Sequence, residues 1–271
     1  MRARRRSRLA RWSLAAIAGL LLTVAVSQTP PGAASGGGST STGAGRGQGW
    51  HQLFADRFTG HTLDRSKWVA YSGQPGGAGS RWTGWWAPEH IEVRDGIAVL
   101  RAYRDARNGN RWTSAGMSTS RSLAQTFGKY EVRFRMDPGY GISFAVLLWP
   151  VAKHWPPEID IAENAGTDGG RSSMAATVHL DAERYVQRDA AVDLSAWHTV
   201  GVEWTPGELV YTLDGAAWGA VSGSDVPAEP MYLALQTLAG AGDRWRPTPD
   251  ASTPPEVDMQ VDWVTGYTRT P

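Results

Sequence analysis

The sequence predicts an all-β, antiparallel sandwich, and three observations carry that prediction. Apolar and polar residues alternate at period two in several short runs, turn residues punctuate those runs, and no segment carries a long amphipathic helical stripe. Successive side chains of a strand point to opposite faces, so each run describes a strand with one dry side and one wet side. The chain has 271 residues, 41% of them hydrophobic, which suits a single core of sandwich size, and no internal repeat suggests a propeller.

Taken in order, residues 1–27 read as an export signal. An arginine-rich head (Arg2, Arg4, Arg5, Arg6, Arg8, Arg11) precedes an apolar run from about Ser13 to Val26, and Ala25-Val26-Ser27 offers a cleavage site. Gly32-Ala33-Ala34 is a second candidate site, and an uncleaved anchor is the alternative. The run is short for a spanning helix, so a secreted, extracellular product that is free of the membrane after cleavage is expected. Residues 28–49 are rich in Gly, Ser, Thr and Ala without apolar periodicity, which predicts a flexible linker, with a folded domain over residues 50–271.

Within that domain, Tyr130, Val132, Phe134 and Met136 alternate with Glu131, Arg133 and Arg135. The same period returns in Val200-Val202-Trp204, in Leu209-Tyr211-Leu213 ahead of the turn pair Asp214-Gly215, and in Met259-Val261-Trp263. Ser143 to Trp149 is an almost continuous apolar run, as in a strand covered on both sides.

Composition excludes several classes. All six head arginines lie where no acid accompanies them, so the remainder of a chain with net charge +1 is acidic, which argues against a nucleic-acid partner. With no cysteine, disulfides, thiolate metal sites and cysteine nucleophiles are excluded. Fourteen tryptophans exceed what one core uses, and flat apolar rings in excess suit a sugar-binding groove.

The chemistry concentrates in Pro157-Glu158-Ile159-Asp160-Ile161-Ala162-Glu163-Asn164. On a strand Glu158 and Asp160 share a face while Ile159 and Ile161 face the core. Glu163 lies at an odd offset, and one extra residue, a β-bulge near Ala162, returns it to the same face. Retaining glycoside hydrolysis uses such a set: a carboxylate nucleophile and a protonated carboxylic acid about 5–5.5 Å apart. A third acid between them raises the acid's proton affinity. On residue type alone, a solvated acidic edge or a metal patch has the same string.

This segment resembles the signature of glycoside hydrolase family 16, the laminarinase, lichenase and β-glucanase group, in its longer, bulged form. Phe54-Ala55-Asp56-Arg57-Phe58 through Lys67-Trp68, Val93-Arg94-Asp95-Gly96, Phe127-Gly128-Lys129-Tyr130-Glu131-Val132-Arg133, Val202-Glu203-Trp204-Thr205-Pro206, Pro230-Met231-Tyr232-Leu233 and Val261-Asp262-Trp263-Val264 resemble the family's other elements, in its order. The resemblance implies a concanavalin-like jelly-roll sandwich with an open concave groove. It implies Glu158 as nucleophile, Asp160 as its helper, Glu163 as acid/base, and no cofactor for catalysis. His179 resembles a histidine that family members carry near the acid/base, and Gln236 stands where relatives often carry asparagine. Trp149 and Trp155 bracket the approach to Glu158, and Trp82, Trp85 and Trp86 sit in a Gly-rich stretch; Trp86 is taken as the sugar contact there. Asp262 is the candidate for a structural calcium, as in some relatives.

The expected protein is a monomeric endo-hydrolase of a β-glucan, β-1,3- or mixed β-1,3/1,4-linked. A transglycosylase, a hydrolase of another polysaccharide such as galactan, and a non-catalytic glucan-binding protein are the alternatives. The tryptophan-rich strand that many laminarinases place before the catalytic strand is replaced here by Ile142-Ser143-Phe144-Ala145-Val146-Leu147-Leu148, so fold and acids alone do not choose the polymer.

Overall fold

The computed structural model describes residues 49–76, 83–181, 183–240 and 246–269; the expected signal, the linker up to residue 48 and Trp82 lie outside the described residues. Among the described residues there is no α-helix, and the strands form two sheets, of ten and eight. Pairing is antiparallel except where Trp85–Trp86 runs parallel to Arg111–Ser114.

Eight of the ten strands of the larger sheet run in the order Ala216–Ser222, Glu208–Leu213, His198–Thr205, Gly128–Met136, Glu256–Arg269, Ile97–Asp105, Arg111–Ser114 and Trp85–Trp86, with Trp50–Asp56 beside Glu256–Arg269 and Ile91–Arg94 beside Ile97–Asp105. Seven of the eight strands of the smaller run in the order Tyr185–Ala191, Ser173–His179, Glu158–Asn164, Ile142–Pro150, Met231–Ala239, Gly116–Ser118 and Val69–Ala70, with Ala124–Gln125 beside Met231–Ala239. The core is the dry face of each. Tyr130, Val132, Phe134 and Met136 are fully buried, as are Ile142, Val146 and Leu148 from the other sheet. The Phe134 and Phe144 rings meet across the interlayer at 5.2 Å. Each such side chain contributes about 1.5–3 kcal/mol by leaving water.

The alternating runs become strands as read. Val200, Val202, Trp204, Leu209 and Tyr211 are fully buried, and Asp214 and Gly215 both adopt positive φ, 50° and 80°, the backbone that a two-residue hairpin turn requires. Trp263 departs from the expected alternation. A register shift between Val261 and Trp263 turns Trp263 outward and seats Val264 in the core instead. The apolar run is the strand Ile142–Pro150. One side faces the core, and on the other Ala145 and Leu147 join Ala234, Tyr71 and Trp149 in a second apolar cluster that floors a groove.

Candidate active site

The strand Glu158–Asn164 lies between Ile142–Pro150 and Ser173–His179. Glu158 pairs with His179, Asp160 with Thr177 and Glu163 with Ala175. The partners alternate by two, so the partner strand presents all three to one face. The acids do not alternate, because three residues on their strand span two on its neighbour between Asp160 and Glu163. That is the bulge, and on the other side it falls between Val146 and Leu147. Ile159, Ile161 and Ala162 go to the core.

Burial governs the three acids. Asp160 is 2% exposed and Glu163 5%. Burial, then the charge of Glu163, holds Asp160 well above the ordinary carboxyl range. Burial, then the charge of Asp160, pushes Glu158 up to about 8, while His179 and a hydrogen bond from Trp155 oppose that rise. Burial also raises Glu163, against a hydrogen bond from Thr177 and the charge of Arg246. The Trp155 indole Nε1 donates to Glu158 Oε2 at 2.7 Å, and the Thr177 hydroxyl donates to Glu163 Oε1 at 2.8 Å. Asp160 is the least hydrated of the three, so burial disfavours its charge most. The hydrogen bond from Trp155 and the charge of His179 favour the Glu158 carboxylate.

The acids open into a groove of about 1010 Å³. Of the residues expected to touch substrate, Trp149, Trp155, His179, Gln236 and Trp86 all line it. Trp155 is 45% exposed, and its ring lies 5.7 Å from His179, which lies 6.0 Å from Tyr185. The Trp86 indole donates to the Thr237 carbonyl at 3.0 Å and packs on Tyr71. Trp85 is turned away, under Arg111. Tyr71, Gln74, Tyr185, Gln187, Tyr232 and Arg246 also line the groove, and sequence reasoning missed them. The period-two positions Tyr232, Ala234 and Gln236 carried a usable signal for Tyr232. Tyr71 depends on Gly116, where a Cβ would run into its ring.

Asp262 is elsewhere, on the strand Glu256–Arg269 of the larger sheet. Its carboxylate accepts from Arg133 Nε at 3.0 Å. A calcium ion takes six to eight oxygen ligands, so Asp262 would hold one only together with backbone carbonyls, and its carboxylate is already paired with a guanidinium. Among the described residues, no trio of His, Asp or Glu side chains that could hold an ion includes Asp262.

Beyond the acids, a buried clamp holds the end of their strand. Arg171 is fully buried and donates to the carbonyls of Asp137, Gly139 and Ile142 and to Asn164 Oδ1, at 2.7–3.1 Å. Asn164 follows Glu163, and its amide donates to the Ser173 carbonyl at 2.8 Å.

Fold and site together define a class: β-sandwich proteins with an aromatic-walled groove over a row of carboxyl groups. The description of glycosyl hydrolases family 16 matches residues 78–265, and the chain belongs to that family. It is similar to two proteins of Rhizobium meliloti: the endo-1,3-1,4-beta-glycanase EglC, at 34% identity over 65% of this chain and 39% of the relative, and the endo-1,3-1,4-beta-glycanase ExsH, at 33% identity over 59% and 34%. The chain therefore spans well under half the length of either. Among solved structures it resembles the catalytic domain of an endo-1,3-beta-glucanase (laminarinase) from Thermotoga petrophila, with a TM-score of 0.74 and 22% identity over 83% of this chain and 100% of that one. The shared fold is the jelly-roll sandwich.

Proposed function

We propose that this family 16 chain is a retaining endo-β-glucanase acting on β-1,3- or mixed β-1,3/1,4-linked glucan, with Glu158 as nucleophile, Asp160 as its helper and Glu163 as acid/base. The observation that carries the reading is the row formed by Glu158, Asp160 and Glu163 on the groove face, each opposite an alternate residue of the next strand. The names of the two rhizobial relatives support the substrate class.

In the first half-reaction a Glu158 oxygen attacks the anomeric carbon, and the glycosidic bond breaks as Glu163 gives its proton to the departing oxygen. In the second, Glu163 takes a proton from water, whose oxygen displaces Glu158 from the same carbon. Two inversions leave the anomeric configuration as it began. The Trp155 bond keeps one Glu158 oxygen in place and leaves the other to attack. Burial raises the Glu163 pKa and so favours the protonated form that the leaving oxygen needs. Aromatic rings at Trp86, Trp149 and Trp155 offer flat apolar faces to pyranose rings. The residues present call for no metal or cofactor in these steps. The arginine-rich head and apolar run support export of the enzyme.

Proton NMR of the first products from laminarin and from barley mixed-linkage glucan tests the reading. Early β-anomer from either polymer, absent with Glu158→Gln and with Glu163→Gln, is the expected result. An early α-anomer excludes retention, and no cleavage of either polymer excludes the glucanase assignment.

A further inference from the structure

We infer that Glu158, Asp160 and His179 form a binding site for a divalent transition-metal ion such as Zn²⁺, and that the bound ion shuts the groove to substrate. One donor atom from each of the three residues lies within 4.8 Å of the others, and no other trio of His, Asp or Glu side chains among the described residues converges in this way. Strand pairing sets that convergence. Glu158 and His179 are direct cross-strand partners, and Asp160 is the next residue along on the same face, so the three are held by two hydrogen-bonded strands instead of a loop.

The separations suit a small, tetrahedral ion. His179 Nε2 and Asp160 Oδ2 are 3.3 Å apart. Two donors each about 2.0–2.1 Å from one zinc ion, at a tetrahedral angle, lie about 3.3–3.4 Å apart. A second observation is independent of the clustering. Asp160 Oδ2 belongs to a side chain almost wholly buried, and among the described residues it makes no hydrogen bond, although His179 is close. A buried carboxylate oxygen without a donor is costly, and an ion between it and the imidazole satisfies it.

The donor set selects the ion. One imidazole nitrogen with two carboxylate oxygens suits zinc or copper, whereas calcium requires a larger shell of oxygens. The Trp155 bond occupies Glu158 Oε2 and leaves Oε1 as a ligand. His179 lines the groove, so an ion can enter from solvent and keep its fourth position for water. An ion so held ties up the oxygen that the proposed hydrolysis uses for attack. Inhibition therefore rests on that reading, but binding does not.

Isothermal titration of the full-length protein with ZnCl₂ tests the site. One ion per chain is expected, weakened at least about tenfold in His179→Asn and in Glu158→Gln and unchanged in His154→Asn, a histidine outside the trio. Circular dichroism confirms that each variant is folded; Glu158→Gln keeps the shape of the side chain and carries the test if His179→Asn does not fold. Zinc bound as tightly by Glu158→Gln as by the wild type, or no binding by the wild type up to about 1 mM, overturns the site. Inhibition of laminarin hydrolysis by ZnCl₂, reversed by EDTA and raising KM without lowering kcat, is the functional counterpart. Zinc bound through His179 in a protein that cuts no glucan leaves the site standing and removes the glucanase reading instead.

Discussion

Replacing Thr177 by valine isolates one hydrogen bond in the acid/base machinery. The Thr177 hydroxyl donates to Glu163 Oε1 at 2.8 Å, and the side chain is 1% exposed. A hydrogen bond to a charged partner contributes about 1.5–3 kcal/mol, and one pKa unit corresponds to about 1.4 kcal/mol. The bond favours ionised Glu163; without it the protonated form gains, and the Glu163 pKa rises by about one to two units. In the proposed mechanism Glu163 must be protonated to release the leaving group, so its ionisation sets the alkaline limb of kcat/KM. That limb moves to higher pH by the same interval in Thr177→Val, and the acid limb stays in place. The assay is reducing-end release from laminarin across pH 4–10 in both proteins. An unmoved alkaline limb refutes the hydroxyl's role, and a moved acid limb refutes the assignment of Glu163 as the acid.

Three further outcomes follow from the geometry. In Trp155→Phe the indole N–H that favours ionised Glu158 is lost, so the acid limb of the same profile moves to higher pH while the alkaline limb stays. Asp258 is pushed up to about 7 by burial and by Glu256 and Asp137, and among the described residues its Oδ1 has no hydrogen-bond partner. Its raised pKa stabilises the fold only while the group is protonated, so that stability fades as pH rises from about 4 through about 7; Asp258→Asn should raise Tm at pH 8 and leave it unchanged at pH 3, measured by calorimetry. Arg171→Met strips donors from three buried carbonyls and Asn164 at once, and denaturant unfolding should show a loss of about 3 kcal/mol or more.

What could be read from the chain depended on whether a signal was local. The strand Gly128–Met136 was legible because its dry and wet residues alternate without interruption, and the acids because a spacing of two plus one bulge can be counted along a single strand. Trp263 was misread because a bulge in a long strand leaves no mark in composition. The groove walls were only partly legible. Tyr71 lies 87 residues before Glu158 in sequence and reaches the groove through the pairing of Val69–Ala70 with Gly116–Ser118, a non-local contact that no window of sequence contains. Arg246 follows a strand whose neighbours are equally distant along the chain. Tryptophan excess pointed to a groove but could not sort Trp68 and Trp204, which are core, from Trp86, Trp149 and Trp155, which line it. The guanidinium partner of Asp262, Arg133, comes from another strand, so that pairing was not legible either.

The bulge in the strand Glu158–Asn164 also makes the site tolerant of a change in chain length. Side-chain direction along a strand is a matter of parity, and parity is kept at Glu163 in two ways: by five steps with one residue unpaired, as here, or by four steps with every residue paired. Deleting Ala162 alone would convert the first into the second. Ile161 would then stand opposite Val146, Leu147 would keep Asp160, and all three acids would still face the groove. Deleting a residue between Glu158 and Asp160, where pairing is regular, offers no such exchange and would turn Glu158 toward the core. An insertion–deletion scan of this one strand should therefore find a single survivable gap, beside the bulge.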